Sequence, residues 1–236
     1  MKCLIFCGGF GTRMNNGLPG MLKPLTILSG KEILRHIIGI YEHYGVREFV
    51  LLGGYRIKDL CDFADAINGL SITVLDTGEA TPTGGRLLQA EKLINKNEDF
   101  LLTYGDSLTN FNLHDALVAK NKLSSDMLIS VYSKKLEYGI LDLDKNSLLE
   151  KIYEKTYTVK INAGFYVLNS NIFKYINSLE ESFELDVLPR LLNNKTHKMA
   201  TYEVSFWHPM DTPNDRESLE NILLQNPKIL LGIKNI

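Results

Sequence analysis

The residues with the clearest chemistry stand near the start of the chain, in Gly8-Gly9-Phe10-Gly11-Thr12-Arg13. Glycines let the backbone take positive φ and approach a ligand with no side chain in the way. Successive backbone N–H groups in such a turn make an anion-binding nest. Arg13 adds a fixed positive charge with forked donors suited to phosphate. The plainer alternative is a strand that ends in a tight glycine turn. Two phosphate loops are excluded. No Lys-Ser or Lys-Thr pair follows, so this is not a Walker loop. A dinucleotide fingerprint starting at Gly9 needs glycine or alanine at position 14, where Met14 stands. The loop closes at Lys23-Pro24, and the proline keeps Lys23 on extended chain. Taken alone, Arg13 and Lys23 read equally as solvated loop cations.

Other candidates lie further along. Residues 76–86 (Asp76 to Arg86) are rich in turn-forming types and contain Gly84, Gly85 and Arg86. Thr103-Tyr104-Gly105-Asp106-Ser107 follows an apolar run, and Phe206-Trp207-His208-Pro209-Met210-Asp211-Thr212 comes near the end. Asp106 and Asp211 each follow an apolar stretch, where an unpaired carboxylate is costly. Singly, each reads as a turn or helix-capping aspartate. His208, between Trp207 and Pro209, reads as a packed structural histidine. His36, His43, His114 and His197 have no metal-ligand spacing.

The elements that must position these residues follow from periodicity. Leu4 to Cys7 is an apolar run of buried-strand type. An amphipathic helix is expected over 31–44, ended by Gly45, then a strand at 49–52, a helix at 57–67 and a strand at 70–75. A helix at 87–94 and a strand at 100–102 come next. Strand alternating with helix implies a parallel sheet with helices on both faces. Ligands in such sheets bind beyond the carboxyl ends of the strands. The three stretches at 8–13, 76–86 and 103–107 are therefore expected to converge. After a helix near 113–122, four strand-like runs at 127–132, 139–143, 148–153 and 160–168 read as antiparallel strands added to that sheet. Helices near 171–177 and 185–193, a strand at 199–204 and a helix at 213–224, with Thr212 as N-cap, complete the chain. There is no internal repeat or linker, so 1–236 reads as one domain.

Composition sets the outer limits. The chain has 236 residues, 44% hydrophobic and 23% charged, enough for a sizeable core. A net charge of −2 gives no bulk field toward nucleic acid or membrane. No apolar run reaches transmembrane length. The first apolar segment is too short for a signal peptide, so a cytoplasmic protein is expected. Cys3 and Cys7 would lie about 13 Å apart on a strand, too far for a disulfide. With Cys61 they read as core cysteines.

Taken together, the motifs resemble the sugar nucleotidyltransferase family. Gly8-Gly9-Phe10-Gly11-Thr12-Arg13 with Lys23-Pro24 resembles its opening motif. The pattern continues in Asp76-Thr77-Gly78-Glu79 with Thr83-Gly84-Gly85-Arg86, in Thr103-Tyr104-Gly105-Asp106, in Asn162-Ala163-Gly164-Phe165 and in the stretch from Phe206 to Thr212. The order is the family's along almost the whole chain. The branch it looks most like is that of the glucose-1-phosphate cytidylyltransferases. It also resembles cytidylyltransferases that use phosphoglutamine in making a capsule's phosphoramidate decoration. The departures fall on the acceptor side: Glu154-Lys155-Thr156 stands where the family has Glu-Lys-Pro, and the segment from there to Asn162 is short.

The resemblance implies a Rossmann-like mixed, mostly parallel sheet, with a nucleotide-binding part over about 1–110 and an acceptor-binding part over about 111–236. It implies transfer of CMP from CTP to a phosphorylated acceptor with release of pyrophosphate, phosphoglutamine standing slightly ahead of glucose 1-phosphate, in capsule or surface-polysaccharide synthesis. A phosphate monoester is already a nucleophile at neutral pH, so no general base is needed. The implied catalytic residues are Arg13 and Lys23, neutralising the triphosphate and the reacting phosphates. Mg²⁺ is implied on Asp106 and Asp211. Gly8, Gly9, Gly11, Thr12, Arg13, Gly84, Gly85, Arg86 and Asp106 are implied for the nucleotide, with Gly8, Gly84 and Gly85 against the cytosine and Arg86 on base or phosphate. Tyr138, Gly139, Glu154, Lys155, Asn162 and Asp186 are implied for the acceptor. Self-association is implied as a habit of the family. Two other functions compete. A non-catalytic nucleotide sensor predicts loss of Lys23, Asp106 or Asp211, and all three are present. A glycosyltransferase calls for Asp-x-Asp, where this chain has Gly105-Asp106-Ser107.

Overall fold

In a computed structural model, residues 1–9, 20–194 and 197–231 are described. The strands in chain order are β1 (Lys2–Phe6), β2 (Ile27–Leu28), β3 (Lys31–Glu32), β4 (Glu48–Gly53), β5 (Ser71–Asp76), β6 (Asp99–Tyr104), β7 (Ser107–Thr109), β8 (Met127–Lys135), β9 (Ile140–Leu143), β10 (Leu149–Tyr153), β11 (Thr158–Asn169), β12 (Met199–Val204) and β13 (Trp207–Pro209). The α-helices are α1 (Ile33–His43), α2 (Ile57–Asp65), α3 (Thr83–Gln89), α4 (Leu113–Lys122), α5 (Leu188–Asn193) and α6 (Pro213–Gln225).

Seven strands form the central sheet in the order β12-β8-β11-β6-β1-β4-β5. The β1 run sits at its middle, parallel to β4 on one side and β6 on the other. Alternation along β1 divides the core. Cys3, Ile5 and Cys7 join Leu34, Ile37, Ile38 and Tyr41 of α1 on one face, with Leu60 and Phe63 of α2 and Leu219 of α6. Leu4 and Phe6 join Leu87 of α3, Phe173, Phe183 and Leu188 on the other. The result is the expected α/β architecture, a mostly parallel sheet between two helical layers. Among the described residues no helix is long and apolar enough to cross a membrane.

The later strands differ from expectation. Of the four runs expected as antiparallel additions, β11 alone runs against its neighbours β6 and β8 within the sheet. Strand β8 points the same way as β6, and β12 pairs with β8 in parallel. Strands β9 and β10 stand outside the sheet as a separate antiparallel hairpin. Their registry explains this. Leu143 pairs with Leu149 and Leu141 with Ile152 on one side of the hairpin, and each of the four is more than half exposed.

Three helical segments also differ from expectation. The helix expected from residue 87 starts at Thr83, with Pro82 as N-cap, so Gly84, Gly85 and Arg86 lie in its first turns. The segment expected as one helix near 185–193 opens as a π-helix, Phe183–Val187, before α5. The segment expected near 171–177 is a 3₁₀ helix, Ser170–Tyr175. Thr212 caps α6 as expected, in a reciprocal box with Asp215.

Candidate active site

The carboxyl ends of β1 and β6 lie side by side, with Phe6 opposite Tyr104. Gly105 makes this junction close. Its N–H donates to Phe6 O at 3.0 Å, and a Cβ there would lie 2.8 Å from that oxygen and 3.0 Å from Pro24 Cγ. Immediately beyond, β7 pairs with β13, setting Ser107 opposite Pro209. Met210 N then donates to Asp106 O at 2.9 Å. This short ladder carries Asp211 to Asp106 although the two are far apart in the chain.

Lys23 meets them there. Its Nζ donates to Asp106 Oδ2 at 2.8 Å and to Asp211 Oδ1 at 2.7 Å. The lysine is held by its neighbours: Leu22 is fully buried, Pro24 is buried, and Lys23 itself is 8% exposed. The aspartate side chains remain about a third open to solvent, 38% and 31%. They face a cleft shared with Tyr104, Asn162, Gly164 and Trp207. Trp207 Nε1 donates to Ala163 O at 2.9 Å, which fastens the 207–211 stretch to the 162–164 stretch.

The nucleotide-side glycines are organised by Arg86. This arginine is 5% exposed. Nη1 donates to Gly53 O at 2.7 Å and to Thr77 Oγ1 at 2.5 Å; Nη2 donates to Gly8 O and to Glu79 O, both at 3.0 Å. It thereby ties the ends of β1, β4 and β5 together. A Cβ on Gly8 would fall 2.0 Å from Arg86 Nη1, so glycine is needed there to admit the guanidinium. Burial lowers the Arg86 pKa, opposed by Cys7 and Asp76 nearby. Burial pushes the Cys7 thiol well up, and Asp106 adds to the shift, which keeps that cysteine an inert core residue.

This arrangement changes two sequence expectations. Arg86, expected to reach base or phosphate, is turned inward onto protein acceptors. Gly84 and Gly85, expected to press on cytosine, admit protein backbone instead. A Cβ on Gly84 would lie 2.6 Å from Glu181 O, and one on Gly85 1.9 Å from Leu179 O. Thr77 and Gly54 were not singled out as candidates and belong to the same junction. A Cβ on Gly54 would lie 2.4 Å from Gly78 O.

The acceptor-side candidates divide. Asn162 joins the cleft of the two aspartates; its Nδ2 donates to Tyr166 OH at 2.5 Å and its Oδ1 accepts from Gly164 N at 2.9 Å. Gly139 and Glu154 meet at the base of the β9–β10 hairpin, where a Cβ on Gly139 would lie 2.7 Å from Glu154 Oε2. Tyr138 there is 80% exposed, and Lys155 takes a left-handed φ of 52°. Asp186 instead lies within the π-helix Phe183–Val187, where its Oδ2 accepts from the N–H of the N-cap residue Ser182 at 2.7 Å. His208 lies with Nδ1 2.7 Å from Pro209 O, as a structural histidine would. Gly9 follows β1, with nothing near the position a Cβ would take. Gly11, Thr12 and Arg13 lie outside the described residues.

The donor set at Asp106 and Asp211 fits a magnesium ion. Both carboxylates already converge on a single cationic atom at an open cleft. Mg²⁺ is held by one or two carboxylates, with substrate phosphates and water completing its octahedron. Among the described residues no larger cluster of His, Cys, Asp and Glu gathers as a metal site.

The sequence comparisons fix the family of this mostly parallel sheet, which carries a lysine and two aspartates at its carboxyl edge. Residues 2–219 match the family described as Nucleotidyl transferase, and the chain belongs to it. It is a nucleotidyltransferase. The chain is similar to the probable glucose-1-phosphate cytidylyltransferase of Bacillus subtilis (strain 168), 36% identical over 237 residues, covering 90% of this chain and 92% of that one. It is 29% identical over 248 residues to the glucose-1-phosphate cytidylyltransferase of Salmonella typhi, covering 94% and 95%. Among solved structures it resembles HddC from Yersinia pseudotuberculosis complexed with GMP-PN. The TM-score is 0.75 with 26% identity, covering 94% of this chain and 99% of that one.

Proposed function

We propose that this enzyme transfers CMP from CTP to glucose 1-phosphate and releases pyrophosphate. The observation that carries the reading is the convergence of Lys23, Asp106 and Asp211 at the carboxyl edge of the sheet. The relatives from Bacillus subtilis and Salmonella typhi support the base and the acceptor. They give no support to phosphoglutamine, and the order of acceptors drawn from the sequence is reversed here.

An oxygen of the acceptor phosphate attacks the α-phosphorus of CTP, and the bond to the bridging oxygen of pyrophosphate breaks. The phosphate carries roughly −1.5 to −2 charge, so no base need remove a proton. The obstacle is the meeting of two polyanions, and fixed positive charge lowers it. Lys23 supplies one such charge from a buried and therefore well-defined position. Asp106 and Asp211 hold Mg²⁺, which when bound supplies further positive charge to the phosphates. Arg13 and Thr12 serve the triphosphate, and Asn162 with Glu154 and Lys155 serves the acceptor. An enzyme that consumes CTP works in the cytoplasm, where CTP is made. Self-association belongs to this reading through the family alone.

The test is base selection. Cytosine presents an amino donor where uracil presents a carbonyl acceptor. A site built to hydrogen-bond that donor rejects the analogue by about 10⁴ in kcat/KM. Pyrophosphate release with glucose 1-phosphate should therefore be far faster from CTP than from UTP, dTTP or GTP. Equal use of UTP would move the chain to another branch of its family.

A further inference from the structure

Strand β11 does not pair evenly with β8. Asn162 stands opposite Val131 and Tyr166 opposite Ile129, so residues 163–165 face Ser130 alone. The extra residues form a bulge, and bulges beside active sites re-aim side chains. This one makes a wall of the cleft: Asn162, Ala163 and Gly164 line it together with Asp106 and Asp211.

A bulge takes backbone groups out of the ladder, and buried ones need other partners. Here side chains supply them. Ala163 O accepts from Trp207 Nε1 at 2.9 Å, Gly164 N donates to Asn162 Oδ1 at 2.9 Å, and Phe165 N donates to Ser130 Oγ at 3.0 Å. Gly164 has a φ of 78°, and a Cβ there would lie 2.6 Å from Tyr104 Cδ2, so the bulge closes onto the Tyr104 ring. Ser130 is the partner behind the wall. It is fully buried and does not line the cleft, so it can reach a ligand only through the bulge.

Asn162 carries the one polar side chain of the bulged segment, and it is exposed. Its Nδ2 donates to Tyr166 OH and its Oδ1 accepts from Gly164 N, which fixes the end of the amide that is oxygen. An amide offers two N–H groups and two oxygen lone pairs. Among the described residues these bonds take one of each. The remaining donor and acceptor suit a hydroxyl, which both gives and takes a hydrogen bond. The Gly164 N–H that orients the amide is one peptide from the Phe165 N–H that Ser130 holds.

We propose that Ser130 is a positioning residue for the acceptor, acting through Phe165 N and the bulge on the Asn162 amide. The inference rests on the proposed assignment of Asn162 to the acceptor. It predicts a defect that is confined to the acceptor and disappears when the amide is removed.

The experiment is a double-mutant cycle of Ser130→Ala and Asn162→Ala, with Ser130→Cys beside it. It reads kcat/KM for glucose 1-phosphate at saturating Mg-CTP, the Kd of Mg-CTP by calorimetry without acceptor, and Tm. Ser130→Ala should lower kcat/KM for the acceptor roughly three- to tenfold, the scale of one hydrogen bond. Cysteine is a weaker acceptor of similar size and should give a smaller fall. The affinity for Mg-CTP should stay native. In the Asn162→Ala background, Ser130→Ala should have almost no further effect, because residues that act through one another are not additive. The same fall in both backgrounds overturns the proposal, since a merely structural role is felt with or without the amide. Native acceptor kinetics in Ser130→Ala or in Asn162→Ala overturn it too, as does an equal loss for Mg-CTP. If Ser130→Ala melts below the assay temperature, Ser130→Cys takes its place in the cycle: a fall that vanishes without the amide supports the proposal, and any other result overturns it. If the wild type prefers another phosphorylated acceptor, the glucose 1-phosphate assignment fails, and the same cycle with that acceptor still tests Ser130. A wild type that transfers CMP to no phosphorylated acceptor overturns both.

Discussion

Two parts of the fold are built differently. At the junction of β1, β4 and β5, Arg86 is 5% exposed and joins three strand ends through four hydrogen bonds. Around the β9–β10 hairpin, Tyr138 is 80% exposed and the strands carry exposed leucines. The first region is preorganised; its polar groups are paired within the protein. The second leaves its groups in water. The hairpin can be varied without disturbing that junction, and the departures from the family's pattern, at Thr156 and in the short segment after it, lie next to it.

The contrast predicts effects of very different size. The largest belongs to the aspartates. Asp106→Asn or Asp211→Asn should lower kcat by roughly 10²–10³, the scale of losing electrostatic stabilisation in the transition state. The fold should survive, since both side chains are partly open. Near-native rates for both variants at limiting Mg²⁺ would remove the metal from the account. Next comes Arg86→Met, which leaves the carbonyls of Gly8 and Glu79 without that donor, while Gly53 O keeps the Thr77 N–H. A loss of about 1–3 kcal/mol is expected, the cost of a buried acceptor left unpaired, read from denaturant unfolding. A loss under 1 kcal/mol would show that the junction does not depend on it.

Gly85→Ala follows. Its Cβ would lie 1.9 Å from Leu179 O, a backbone atom with little freedom to retreat. The overpacking should cost about 1–3 kcal/mol. Gly9→Ala is the control, because nothing lies within 4 Å of the added methyl. Similar Tm losses in the two would contradict the packing role given to Gly85. The smallest effects belong to the acceptor side. Glu154→Gln and Tyr138→Phe should change stability by less than about 0.5 kcal/mol, as exposed sites do. They should raise KM for the acceptor and leave KM for CTP alone. A matching rise for CTP would mean the two sides are not separable.

Much of this was legible in the sequence. The apolar run in β1 and the helix spacing of α1 each gave element and place. The motif order pointed to Lys23, Asp106, Asp211 and Asn162, which the fold brings to one cleft. What escaped has physical causes. The meeting of Asp106 with Asp211 depends on β7 and β13, three residues each, too short to leave a period. Arginine is seldom buried, so Arg86 read as a ligand-facing charge rather than a clamp. Gly84-Gly85 read as a turn because glycine is a poor helix former, yet the 179–181 backbone presses on that helix and excludes a side chain. The β9–β10 hairpin read as part of the sheet because its alternation does not say what its apolar face meets.

The central claim is that the acceptor phosphate of glucose 1-phosphate attacks the α-phosphorus of CTP. The most direct measurement follows that atom, using CTP labelled at the α-phosphate, Mg²⁺ and either glucose 1-phosphate or phosphoglutamine. The label should pass into a CDP-sugar product, with unlabelled pyrophosphate released and glucose 1-phosphate the faster acceptor. Label retained in CTP or free CMP with glucose 1-phosphate, or passed faster to phosphoglutamine, would contradict it.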